Sequence, residues 1–424
     1  MAEYLYWSIY QFYKEKISSG ALPPGAKLPS VRKCAAQFNV SVTTSQTAYL
    51  YLAADGYILS RPQSGYYVTA QRFFKKPQAV PDMPDKTPPV LYDFSTSNVD
   101  RDSFDFDLWR RYVKSAIRQD DRMCSYGEPQ GEPELRLAIA QHLEKHRNVV
   151  CSPDRIVIGA GVQSLLQLLC PMLKGKKSVY FQNPDFKQGI AVFEDHGFTL
   201  ENTMEKAGVL YLTPSQETDE KTTPARLRLL EQARERGQWV IEDDYDGEFR
   251  SVLQSPPRYQ GLDGGRRVIY LGTFSKLLLP SIRISFLILP DSLCDVYAPR
   301  RTLYNQTASK TEQLALARFM LDGHFERQIK KLRRLYHEKA AQLKMAINTV
   351  FGSAAQVQFV KAGLAAKLTV QSDRSAQKIQ KYAKKRQLFV SPVENSGKVT
   401  LLLSVTGLAA NQFLPALQAL KRCL

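Results

Sequence analysis

The residues of this chain best placed to do chemistry are Lys276 and the groups spaced around it. Lys276 follows Gly272-Thr273-Phe274-Ser275 at the end of an apolar run, and Arg283 stands seven residues further on. An amine just past a buried strand can attack an aldehyde, while a hydroxyl and a guanidinium beside it can hold a phosphate. Two other segments have the same strand-end character. Gly159-Ala160-Gly161-Val162-Gln163 closes the run Arg155 to Ile158 and opens a helix, where free backbone N–H groups favour a phosphate. Ile241-Glu242-Asp243-Asp244-Tyr245-Asp246 ends another run with a crowd of carboxylates. Such a crowd is tolerated mainly where something cationic sits, and a protonated pyridine nitrogen is one such partner. A metal and a solvated acidic turn are the alternatives, although no histidine stands near to complete a ligand set. Phosphate turn, carboxylate end and lysine end occur in the order that one cofactor, pyridoxal 5'-phosphate (PLP), would require.

The elements that must position these residues follow from the pattern of the chain. From about residue 92, apolar runs alternate with amphipathic segments: Lys177 to Phe181, Val209 to Leu212, Trp239 to Glu242, Val268 to Leu271 and Ile284 to Ile288. The alternation predicts an α/β unit with a mostly parallel sheet and helices on both faces. From about residue 300 a long helical stretch and shorter β and α pieces predict a smaller C-terminal α/β subdomain. Ahead of it, Pro77 to Val90 holds five prolines and reads as a semi-extended linker, placed at 71–91. Residues 1–70 form a third unit. Tyr6, Ile9, Tyr10, Tyr13 and Ile17 recur at helical spacing, Ser30 can cap a helix from Val31 to Phe38, and Ser41 a third running to Asp55. Two short strands, Tyr57 to Ser60 and Tyr66 to Val68, complete a winged helix-turn-helix.

Composition narrows the class. The chain has 424 residues, enough for two or three domains, and a net charge of +17, which favours an anionic partner. Six scattered cysteines without a C-x-x-C pair, with only five histidines, support neither a disulfide framework nor a structural zinc site. No long uncharged apolar run and no signal-peptide pattern occur, so the expected location is the cytoplasm, away from any membrane.

Tyr126-Gly127-Glu128-Pro129-Gln130-Gly131, Asn183-Pro184-Asp185-Phe186, the Glu242 to Asp246 run and Gly272 to Lys276 resemble fold-type I PLP-dependent aminotransferases. Leu22-Pro23-Pro24-Gly25, Leu28-Pro29-Ser30-Val31-Arg32 and Asp55-Gly56-Tyr57 are similar to the GntR winged helix. The fusion of the two resembles the MocR family of transcription regulators over nearly the whole chain. The resemblance implies that Lys276 forms the Schiff base with PLP, Asp243 faces the pyridine nitrogen, Tyr245 donates to the ring oxygen and Phe186 stacks on the ring. It implies Thr273, Arg283 and the backbone at Gly161, Val162 and Gln163 as the phosphate site, and Tyr126 as a residue reaching the phosphate of the other subunit of a homodimer.

Departures from the aminotransferase pattern bear on activity. The late strand Thr400 to Thr406 lacks the arginine that pairs with a substrate carboxylate, and none occurs between Arg386 and Arg422. Thr213 to Asp219 replaces the usual asparagine-proline or proline-threonine-glycine loop, and Ala365 stands where histidine is common. Cofactor binding is therefore expected and efficient transamination is not. In the N-terminal unit the third helix would enter the major groove of double-stranded DNA, presenting Ser41, Thr43 and Thr44. The resemblance puts Arg32 on the backbone or a base edge and Arg61 with Gly65 at the wing, and Lys33 is a further expected DNA-binding residue. The expected function is a regulator that senses a small amine or amino acid; the alternative is an aminotransferase with a DNA-binding appendage.

Overall fold

The computed structural model describes residues 5–69, 90–94, 99–173, 175–214, 222–249, 257–359, 363–395 and 398–424. The chain divides into two compact units, Met1–Thr87 and Pro88–Leu424. The expected linker lies almost entirely outside the described residues, as does most of the loop following Thr213.

The first unit packs three helices, Leu5–Ser18, Val31–Phe38 and Val42–Ala54, against a hairpin. Ile9, Tyr10, Tyr13 and Ile17 form the buried stripe of the first helix and meet Tyr49, Leu52, Ile58 and Val68. Each such buried aliphatic contributes roughly 1.5–3 kcal/mol relative to exposure. Both expected caps are present: the Ser30 side chain accepts from the amide of Lys33, and that of Ser41 from the amide of Thr44. The hairpin strands are Ile58–Arg61 and Gly65–Val68, with Arg61 paired to Gly65. Arg61 therefore belongs to the strand, and the turn is the shorter Pro62-Gln63-Ser64, with Gln63 at φ 56°.

In the second unit a seven-stranded sheet has the order Ile156–Gly159, Ser285–Ile288, Val268–Thr273, Trp239–Asp243, Val209–Leu212, Ser178–Phe181, Thr199–Leu200. Ser285–Ile288 runs antiparallel to both its neighbours and the remaining pairs are parallel. The near-continuous apolar runs arise because the central strands are covered on both faces. Ile156, Ile158, Tyr270 and Phe286 face a core with the helices Pro133–Arg147 and Lys310–Leu321, while Val157, Ile241, Leu271 and Leu287 face the helix Val162–Leu169.

The long helix His324–Phe351 then leads into a four-stranded antiparallel sheet, ordered Ala355–Phe359, Ala365–Gln371, Lys398–Ser404, Pro392–Asn395. Its core draws on Leu332 to Cys423 and also on Phe94, because Tyr92–Asp93 pairs in parallel with Leu388–Phe389.

Candidate functional site

Register brings the strand ends together. Ser285 faces Gly159 on one side and Thr273 on the other, and Asp243 pairs with Leu271 one strand further across. Three segments far apart in sequence thus open on one edge of the sheet, where ligands of open α/β sheets bind.

The side of this edge that carries Gly161 and Arg283 is built for close approach. Gly161 sits at φ 90°, and a Cβ there would lie 2.4 Å from Nη2 of Arg283. Only a glycine lets the guanidinium close over the start of the helix Val162–Leu169, where Val162 and Gln163 occupy the first turn and its amides lack intrahelical acceptors. Arg283 is itself left-handed, at φ 53°, between the turn Pro280–Ile282 and its strand. Ser285 Oγ donates to Thr273 Oγ1 at 2.9 Å, and Thr273 Oγ1 donates to Ser275 Oγ at 3.1 Å. Hydroxyls, a cation and helix amides on this one edge make a candidate anion cradle.

Next to the cradle lies the amine. Lys276 Nζ is 4.6 Å from the centroid of the Tyr245 ring. Burial depresses its pKa, against the opposing pull of Asp246 and Asp243, a shift toward the nucleophilic form of the amine. Asp243 is buried, and its Oδ2 accepts from Tyr211 at 2.8 Å. Its Oδ1 is buried without a hydrogen-bond partner among the described residues. Burial, with Asp246 and Asp244 nearby, pushes the Asp243 carboxyl up to about 7, while Tyr211 and Lys276 oppose the rise. Tyr211 stacks on Phe181 at 4.8 Å and tilts against Phe186 at 5.7 Å. Phe186 is seated by Gly189, where a Cβ would lie 2.1 Å from its ring. Tyr126 stands apart from these residues at 97% exposure.

The acidic run divides its work differently from the sequence expectation that one cation explains it. Glu242 accepts from the amides of Tyr259 and Gln260, at 3.2 and 2.9 Å. Asp244 is bound by Arg147 and Arg258 and accepts from Tyr270 at 2.6 Å; although burial disfavours its charge, the two arginines hold its carboxyl down at about 2. Asp243, with its orphan oxygen, and Asp246 are left near Lys276. Strand alternation separates Glu242 from Asp243, and the turn after the strand, which holds Asp244 and Asp246, places the other two. Arg147 and Arg258, which hold this carboxylate end in place, were missed from sequence: each is distant from the run, and a buried arginine has no local signature.

In the N-terminal unit Arg32, Lys33, Ser41 and Thr43 are exposed, and Thr44 is half-buried. The Ser41 hydroxyl is engaged in its cap, 2.7 Å from Thr44 Oγ1, so two of the expected contact hydroxyls already satisfy each other. The guanidinium of Arg61 lies 4.6 Å from the Tyr67 ring centroid, and Lys27 Nζ lies 5.7 Å from it. Gly65 holds φ 107° at the start of the returning strand. The wing thus presents two cations on one aromatic platform.

Residues 5–68 match the model for bacterial regulatory proteins of the gntR family, and residues 91–208 the model for aminotransferase class I and II. An HTH-type transcriptional regulator of Bacillus subtilis, YdeL, is 36% identical over 92% of this chain and 89% of its own length. The probable rhizopine catabolism regulatory protein MocR of Rhizobium meliloti is 30% identical over 78% of this chain and 74% of its own. The chain belongs to the MocR family of HTH-type transcriptional regulators. The solved α-aminoadipate aminotransferase LysN of Thermus thermophilus, at 23% identity and a TM-score of 0.66, covers 78% of this chain and 91% of its own. A MocR-type regulator of this kind couples a GntR reader to an aminotransferase fold, and among its described residues no helix is long and apolar enough to cross a membrane.

Proposed function

We propose that this regulator holds PLP on Lys276 and changes its grip on DNA when a small amine or amino acid arrives. The observation that carries the reading is a buried Lys276, its pKa depressed by that burial, in the field of Asp243, whose Oδ1 is left without a partner among the described residues, on the same sheet edge as the Gly161–Arg283 cradle. The solved LysN structure was complexed with N-(5'-phosphopyridoxyl)-L-leucine, a phosphate-bearing pyridine joined to an amino acid. Bound PLP supplies an aldehyde that condenses with amines and a pyridine ring that withdraws electrons.

The chain's own residues do the rest. Arg283, Thr273 and the amides at Gly161, Val162 and Gln163 anchor the phosphate. Asp243, fixed by Tyr211, counters a protonated ring nitrogen; Tyr245 donates to the ring oxygen, and Phe186 covers the ring. An effector amine would compete with Lys276 for the aldehyde and leave the lysine amine free beside Asp243 and Asp246. That exchange biases two arrangements of the protein if they differ in affinity for the effector. Arg32, Lys33 and Thr43, with Arg61 and Gly65 on the wing, contact double-stranded DNA in the cytoplasm. Tyr126 reaches the partner subunit of a homodimer. The late strand Lys398–Ser404 has no arginine for a substrate carboxylate, which favours sensing over turnover.

Absorption of the purified protein with PLP tests the cofactor assignment. The wild type should show a visible band that borohydride abolishes, and Lys276→Ala should lack it; no band in the wild type would overturn the assignment. Fragments selected from a random DNA pool then report sensing. Effector amines that alter the spectrum should shift affinity for those fragments, and unchanged affinity throughout would end the sensing reading.

A further inference from the structure

Three side chains that this reading leaves unused converge from two helices. His142 and His146 lie one turn apart on Pro133–Arg147, and Glu326 lies in the first turn of His324–Phe351. One ligand atom from each falls within 4.8 Å of the other two. Nε2 of His146 and Oε2 of Glu326 are buried and have no hydrogen-bond partner among the described residues. His142 Nδ1 lies 3.4 Å from Glu326 Oε1, while its Nε2 lies 2.9 Å from Glu248 Oε1. In the tautomer whose Nε2–H donates to Glu248, Nδ1 carries the lone pair available to a metal on the Glu326 side.

We propose that His142, His146 and Glu326 bind one divalent transition-metal ion of the zinc type, with Glu248 orienting His142 from behind. Two imidazoles and a carboxylate are a donor set suited to such an ion, and three protein ligands leave a fourth position for water. The charges around the cluster agree. Glu248 is shared by Arg147 at 3.5 Å and Arg333 at 3.6 Å, so its charge is already matched. Glu326 is the carboxylate left to offset the ion. The carboxylate–histidine–metal order is the one that fixes a ligating ring. An ion here would tie the helix Pro133–Arg147 to the helix that enters the C-terminal subdomain. It would also stiffen the Gly247–Phe249 turn, which carries Glu248 and follows Asp243 and Tyr245.

The test uses the full-length, tag-free protein, stripped with chelator and dialysed against Zn²⁺, with metal content measured by mass spectrometry and affinity by competition with a chelating dye. One zinc per chain is expected. His146→Ala and Glu326→Gln should each abolish stoichiometric binding, and Glu248→Gln should weaken it by about 10- to 100-fold. His337→Ala, exposed on the same long helix, should bind as wild type. Substoichiometric zinc in the wild type, or undiminished zinc in the variants, would overturn the proposal. Should His146→Ala fail to fold, the isosteric Glu326→Gln carries the test.

Discussion

Asp243 shows most directly how one residue ties function to stability. Its carboxyl titrates at about 7 in the folded protein, against about 4 in an unfolded chain. Between those values the folded state keeps a proton that the unfolded state has released, so stability falls as pH rises through the window, each pH unit being worth about 1.4 kcal/mol. Cofactor-free Asp243→Asn protein is therefore expected to melt above cofactor-free wild type at pH 8, with the gap closing toward pH 4. Glu242 is also raised to about 7, but it is common to both proteins and cancels. Excess PLP should reverse the order at pH 8, because the carboxylate and not the amide balances a pyridinium; calorimetry with and without PLP checks both signs. Gly161→Ala addresses the other end of the cofactor. Its Cβ would collide with the Arg283 guanidinium, so PLP affinity measured by titration should fall by roughly tenfold or more, the cost of losing a charge-assisted contact.

At the scale of elements, the third helix separates contact from capping. The Ser41 side chain accepts from the Thr44 amide at 3.0 Å, so Ser41→Ala should destabilise the N-terminal unit by about 1 kcal/mol. A cap that makes no phosphate contact leaves the salt dependence of DNA binding unchanged. Arg32→Ala with Arg61→Ala should instead lower both affinity and the salt slope, since each lost phosphate contact removes about one counterion from the slope. Fluorescence anisotropy on a selected fragment at several salt concentrations distinguishes the two. The same two elements were readable in advance for a physical reason. Helix caps, the helical stripe from Ile9 to Ile17 and the short strands around the hairpin turn are local patterns, and local patterns survive in the sequence.

For the whole molecule, Tyr126 carries the dimer proposal. A tyrosine exposed at 97% beside none of the cofactor residues of its own chain is explained if it serves a partner's site. Tyr126→Ala should keep the fold and the melting temperature but weaken PLP binding by about tenfold at concentrations where the protein is dimeric, as read by titration alongside sedimentation. Unchanged PLP affinity would remove Tyr126 from the site.

By itself the sequence determined the kinds of group present and their local settings: the lysine at a strand end, the glycine turn opening a helix, the capped helices of the reader, and motifs specific enough to name the family. These depend on neighbours within a few residues, and short-range spacing preserves them. Only the tertiary structure decided which members of a cluster share a face. The run Glu242 to Asp246 reads as one acidic patch, yet alternation at the strand end and the turn that follows it send Glu242 to two backbone amides and Asp244 to Arg147 and Arg258, and leave Asp243 beside the lysine. Likewise, the histidine pair His142 and His146 is a helical i, i+4 spacing in the sequence, but Glu326, far along the chain, becomes its neighbour only when two helices pack. Long-range packing chooses such partners, and no local pattern encodes the choice.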